Sequence, residues 1–305
     1  MNTYHKLKDI QQDLAAAKVN CVDLVEFYLS NIAASQSTNA YIEVFEEEAR
    51  QQAKLLDQKM ANGEKLGRLH GMVIALKDVI CYKNHKISAS SNILNNFESL
   101  FSATAVERIL AEDAIIIGRT SCDEFAMGST NENSAYGVVR NYANQDKVPG
   151  GSSGGSAVAV QANTCLAALG TDTGGSVRQP ASFCNVIGFK PTYGRISRHG
   201  LIAYASSFDQ IGTFTNCAED AALLLEIMAG KDQFDGTNSS KPVPSYSTLL
   251  QQTPPKRKIA YFKEALENKG LDPEIKEKTT AFLSQLQSEG HTVEAVSFPY
   301  LDYIV

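Results

Sequence analysis

Two glycine- and serine-rich segments lie close together in the chain, P-G-G-S-S-G-G-S at 149–156 and T-D-T-G-G-S-V-R at 171–178. Their wording differs, and together they flank one helix and one strand, which is more than a pair of linkers requires. Glycine permits positive φ and lets backbone N–H groups approach a ligand with no Cβ in the way. Phosphate is not the expected ligand, because neither G-x-x-x-x-G-K-[ST] nor a G-x-G-x-x-G following a strand is present. Gly151-Ser152-Ser153-Gly154-Gly155 matches G-x-S-x-G, but residues 141–149 before it are polar and turn-like instead of the strand that a nucleophile elbow needs. Only His199 and His291 follow Ser153, one in a basic turn and one at the start of a strand, and both read as surface histidines. That leaves a nucleophile activated without histidine. A lysine can act as base when burial disfavours its ammonium form. Lys77 ends the apolar run Met72–Leu76, where α/β folds place their sites. On local sequence alone an exposed strand-end lysine beside Asp78 is the commoner arrangement.

The elements around these residues alternate. Apolar spacing gives helices at 7–17 and 22–33, with Asn20 as N-cap of the second, then a helix at 46–60 and another at 105–112. Short apolar runs at 72–76, 114–118, 165–169, 186–189, 259–262 and 292–296 read as strands. Thr104-x-x-Glu107 and Ser121-x-x-Glu124 have the form of capping boxes, and Asp272-Pro273-Glu274 opens a helix by N-cap and N1 proline. The stretch 232–258, with Pro242, Pro244, Pro254 and Pro255, reads as a long surface excursion and not a domain boundary. The expected class is α/β, a mixed central β-sheet covered by helices on both faces with an N-terminal helical layer. Residues 1–60 form that layer and 61–305 the core, treated as one domain.

The 305 residues carry 28 basic and 34 acidic side chains, a formal charge of −6, so no bulk basic field exists to hold nucleic acid. Six cysteines lie far apart with no C-x-x-C pair, which suggests buried thiols in a reducing compartment and no metal site. The first residues are charged and no apolar run reaches bilayer length, so a cytoplasmic protein is expected.

Ala75-Leu76-Lys77-Asp78, G-G-S-S-G-G-S at 150–156 and D-T-G-G-S-V-R-Q-P-A-S-F-C at 172–184 resemble, in order and wording, the amidase-signature family. The stretches 128–134 and 190–212 are most similar to the branch formed by the A subunits of glutamyl-tRNA(Gln) amidotransferases. The resemblance implies an amidase-signature fold with a Ser-cisSer-Lys triad: Ser176 as nucleophile, Ser152 as the serine after a cis peptide bond, Lys77 as general base. It further implies an oxyanion hole from the N–H groups of Thr173, Gly174, Gly175 and Ser176, and a substrate pocket lined by Gly128 and Ser129. Ser153 is expected to be a structural hydrogen-bonder, and Arg178 a charged partner that fixes the loop. The implied reaction is glutamine hydrolysis that supplies ammonia for converting Glu-tRNA(Gln) to Gln-tRNA(Gln). A B subunit would carry the tRNA and the ATP- and magnesium-dependent step, and a C subunit would brace the pair. This chain would bind no cofactor or metal. Members of that branch are longer, and their residues that clamp free glutamine lie beyond position 305, so an N-terminal fragment is expected. A stand-alone amidohydrolase and an inactive truncated scaffold are the alternatives.

Overall fold

A computed structural model describes residues 3–301 of the chain, which divide into two compact units with the break between 249 and 250. The first unit opens with α1 (Leu7–Ala15) and α2 (Cys21–Ala34), then β1 (Tyr41–Val44), α3 (Glu46–Ala61), β2 (Val73–Lys77), α4 (Thr104–Ala111) and β3 (Ile115–Thr120). It continues through α5 (Gly154–Gln161), β4 (Ala167–Asp172), α6 (Arg178–Phe183), β5 (Ile187–Phe189), β6 (Gln210–Thr215), α7 (Ala218–Met228) and the short α8 (Tyr246–Leu249). The six strands form one mixed sheet in the order β1-β3-β2-β4-β6-β5. Its centre, β3-β2-β4, is parallel, and antiparallel strands close it at either side. Strands β2, β3 and β4 are buried along their whole length, as parallel strands covered by helices must be, and they read as near-continuous apolar runs.

Helix α5 decides where the chemistry sits. Its residues Gly154–Val160 are all buried, it carries no charge, and it packs on β2, β3, β4 and β6. A helix apolar on every side is stable only when covered on every side. The serine-rich loop at 150–153 therefore enters the interior, at the carboxyl ends of β2 and β4.

The N-terminal layer, residues 1–60, belongs to the same compact unit as residues 61–249. Its α2 starts as expected: the Asn20 side chain accepts the Asp23 N–H and the Asp23 carboxylate accepts the Asn20 N–H, at 2.8 and 3.1 Å. The two other capping boxes do not form. Helix α4 begins one residue early, with Ala103 as N-cap, and the Thr104 hydroxyl donates to Asp232 instead. Ser121 starts no α-helix; its hydroxyl meets Ser134, and a 3-10 turn at Glu124–Ala126 follows, with Phe125 at φ 50°. In both cases a distant polar partner outcompetes the local N–H groups.

The second unit contains β7 (Lys258–Phe262), α9 (Lys263–Glu267), α10 (Pro273–Ser288) and β8 (Thr292–Val296), with β7 and β8 paired in parallel. Asp272 caps α10 by accepting the Glu274 N–H at 2.8 Å. The break between units falls within the stretch 232–258 read from sequence as an excursion. Positions 302–305 lie outside the described residues. Among the described residues no helix is long and apolar enough to cross a membrane, and no group of histidine, cysteine and acidic side chains could hold a metal ion.

Candidate active site

Lys77 ends β2 and is fully buried, so the exposed strand-end arrangement does not occur. Parallel pairing of β2 with β4 sets Leu76 beside Leu169, which brings the end of β4 next to the lysine. The Lys77 Nζ donates to Ser152 Oγ at 2.8 Å, Ser153 Oγ at 2.9 Å and Thr171 Oγ1 at 2.8 Å. Burial lowers its pKa from 10.5 to about 8, against the opposing pull of Cys122, Asp123, Asp172 and Asp209. Three neutral acceptors satisfy the ammonium without pairing it with a carboxylate. The amine form thus remains accessible near neutral pH.

The two neighbouring serines differ in what they do with their own hydrogens. Ser153 Oγ donates to the Thr171 carbonyl at 3.1 Å and accepts the Thr171 N–H at 3.3 Å. Ser152 Oγ has, among the described residues, the lysine as its one hydrogen-bond partner. The peptide bond between Gly151 and Ser152 is cis.

Ser176 lies half-buried in the turn between β4 and α6. Its carbonyl accepts the Ser153 N–H at 3.3 Å, which joins the two segments at the main chain. Among the described residues no hydrogen bond involves its hydroxyl. The turn is wound around the fully buried Asp172, whose carboxylate accepts the N–H groups of Gly175 at 2.9 Å, Val177 at 3.1 Å and Arg178 at 3.3 Å. Arg178 also grips it through Nε at 3.0 Å and Nη2 at 2.9 Å, the loop-fixing role expected from sequence. These bonds hold the Asp172 carboxyl below its usual range despite burial. Gly175 N–H is therefore occupied, and among the described residues the N–H groups of Thr173, Gly174 and Ser176 carry no hydrogen bond. Thr173 is fixed separately: its hydroxyl donates to the buried Asp209 at 2.5 Å.

Gly128 and Ser129 are exposed on a loop beside Gly151, and the Gln179 side chain bridges the two segments by donating to the Ser129 carbonyl and accepting the Gly151 N–H, each at 2.9 Å. Neither histidine takes part: His199 stacks between Phe101 and Phe234, and His291 Nδ1 accepts the Arg257 N–H. All six cysteines are buried free thiols. Sequence reasoning gave no role to Thr171, Asp209, Asp123 or Gln179.

A buried lysine bonded to a serine hydroxyl thus lies next to a glycine-rich turn that presents a second serine, at the strand ends of a mixed sheet. The amidase family model matches residues 23–305, and the chain belongs to that family. It is 46% identical over 297 residues to the A subunit of glutamyl-tRNA(Gln) amidotransferase from Chlorobium chlorochromatii, covering 97% of this chain and 63% of the relative. With the corresponding protein of Chlorobium limicola it shares 47% over 299 residues, again 63% of the relative. Among solved structures, the glutamyl-tRNA(Gln) amidotransferase A subunit from Thermotoga maritima superposes with a TM-score of 0.80 at 37% identity, over 93% of this chain and 61% of that one. A 6-aminohexanoate cyclic dimer hydrolase gives 0.87 at 26% identity, over 97% and 61%. The chain thus spans less than two thirds of the length of these relatives.

Proposed function

We propose that this chain carries the glutamine-hydrolysing chemistry of a tRNA-dependent amidotransferase, with Ser176 as nucleophile, Ser152 as relay and Lys77 as base. The observation that carries the reading is the fully buried Lys77 within hydrogen-bond reach of Ser152, in a chain similar to curated proteins that bear that amidotransferase's name. As Ser176 Oγ forms its bond to the carbonyl carbon of the glutamine side-chain amide, its proton passes to Ser152 Oγ, and the Ser152 proton passes to neutral Lys77. The last leg, from Ser176 to Ser152, closes in the substrate complex, since catalytic hydrogen bonds in unliganded sites are commonly long. The oxyanion rests on the free N–H groups of Thr173, Gly174 and Ser176; each such donor contributes roughly 10² to 10³ in rate. Gly175 shapes the turn through Asp172. Collapse breaks the C–N bond, the relay returns a proton to the departing ammonia, and water then cleaves the glutamyl ester by the same route.

In this reading Gly128 and Ser129 line the entry for the amide. The ammonia feeds a B subunit that holds Glu-tRNA(Gln) and uses ATP and magnesium, with a C subunit bracing the complex in the cytoplasm. A net charge of −6 suits a component that does not grip tRNA itself.

The test has two parts. A fluorophosphonate should label the isolated chain at Ser176. Labelling should vanish in Ser176→Ala and fall by about 10² or more in Lys77→Ala, the usual worth of a general base. The chain joined with B and C subunits should convert Glu-tRNA(Gln) to Gln-tRNA(Gln) at the expense of glutamine. Labelling that survives Ser176→Ala would overturn the assignment. The similarity to a cyclic dimer hydrolase favours a second reading, a stand-alone amidohydrolase, which predicts turnover of other amides with no partner present.

A further inference from the structure

The loop that carries Ser152 and the loop at 128–133 are joined at contacts the proton relay does not use. Asp123 is 1% exposed and sits between them. A Cβ added at Gly128 would lie 2.3 Å from Asp123 Cγ, and one added at Gly151 would lie 2.1 Å from Asp123 Oδ2. No real Cβ fits at either distance, so the carboxylate occupies space that two glycines, one on each loop, leave open. Its oxygens accept the N–H groups of Asn131 at 3.0 Å and Asn133 at 3.3 Å, while its own N–H donates to the Ser152 carbonyl at 3.1 Å. From the other side Gln179 ties Gly151 N–H to the Ser129 carbonyl. Asn131 Oδ1 adds a third tie by accepting the Gly155 N–H at 3.1 Å.

We propose that Asp123 is a positioning residue for the amidase reaction: wedged between Gly128 and Gly151, it sets the Ser152 peptide so that the serine hydroxyl meets Lys77, with Gln179 as the second tie. The inference rests on the reading of Lys77, Ser152 and Ser176 given above and assigns a mechanical role to the glycine at 128. The relay tolerates little slack, since a displacement of about 1 Å can cost on the order of 10² in rate. Asp123 also places a negative charge near Lys77, which favours the ammonium and raises the pH at which the lysine becomes neutral. Removing that charge while keeping the shape must therefore move the pH dependence toward acid.

The experiment follows fluorophosphonate labelling of Ser176 by intact mass, from about pH 6 to about pH 10, the span over which a base of this kind titrates. It uses the whole chain as wild type, Asp123→Asn and Gln179→Ala, with thermal unfolding of each. Asp123→Asn should label at least about tenfold more slowly, and its rising limb should shift to lower pH, as lost positioning and lost charge require. Gln179→Ala, on a partly exposed helix start, should slow labelling several-fold and leave the limb in place. Wild-type rates in both variants would overturn the proposal. So would slower labelling of Asp123→Asn with an unmoved limb and a loss of thermal stability that accounts for it, because that is a merely structural role. If Asp123→Asn does not fold, Gln179→Ala decides: a wild-type rate refutes the double tie, and a slowed rate with unchanged unfolding upholds it. A wild-type chain that is not labelled overturns the parent reading, and this inference with it.

Discussion

Ser152 and Ser153 are adjacent, both fully buried, and both accept a hydrogen bond from the same lysine. What separates them is the fate of their own protons, since Ser153 has given its hydrogen to the Thr171 carbonyl. Ser152→Ala is therefore expected to slow fluorophosphonate labelling by about 10² or more, as loss of a proton relay does. Ser153→Ala should leave the rate within several-fold. It should instead lower stability by about 1 to 3 kcal/mol, because it strips partners from Lys77 and Thr171 inside the protein. Labelling kinetics beside denaturation curves measure both, and equal losses of rate would refute the distinction. Lys77, Ser152 and Ser176, the residues of the proposed relay, could be singled out from sequence because motif wording carries them. Thr171, Asp209 and Asp123 were not, because their roles depend on which strands and loops meet, and that is set by sheet order and not by local spacing.

At the scale of elements, periodicity located α1 to α4 and most strands but not α6 to α9, while the polar signals at helix ends were legible only where the partner is local. Asn20 and Asp23 cap α2 across three residues, whereas Thr104 is claimed by Asp232 from 128 residues away. Strands β1 and β6 were missed, the first for its four-residue length and the second because Gly212 interrupts its apolar run. The start of α2 also rests on a buried polar cluster. The Cys21 and Val22 N–H groups donate to the Asp57 carboxylate on α3, and the Cys21 Sγ lies 3.6 Å from His70 Nε2. His70 Nδ1 in turn faces Asp113 at 3.6 Å, and Asp113 is bonded to Lys59. Burial lowers the His70 pKa below 6.5, with the Asp113 charge opposing. The folded state thus prefers neutral imidazole, and the unfolded chain takes up the proton first as pH falls. Stability should be lost from about pH 6.5 downward and be fully present above it. Melting temperatures of wild type and His70→Gln at several pH values between about 7 and 5.5 would show it, the variant giving the flatter profile. Parallel profiles would refute the assignment to His70.

For the molecule as a whole, every residue of the candidate site lies in the unit 1–249. Residues 251–258, which open the second unit and lead into β7, are exposed without exception and include Pro254 and Pro255. Brief treatment with a nonspecific protease is expected to cut there first, since exposed connecting backbone is where nicking concentrates. The larger product should keep its reaction with a fluorophosphonate, as read by mass. Early cutting inside 128–178 with the 251–258 segment intact would contradict this division. The two-unit arrangement was hidden in the sequence because a proline-rich excursion and a boundary have the same composition. The turn around Asp172 has a last consequence. The bonds to its carboxylate all come from within seven consecutive residues and ask for no distant part of the chain. Lys77 and Ser152, 75 residues apart, come together only when the sheet is complete. In the proposed reaction a half-made or half-melted molecule therefore has nothing to arm its serine, and stays silent instead of attacking amides indiscriminately.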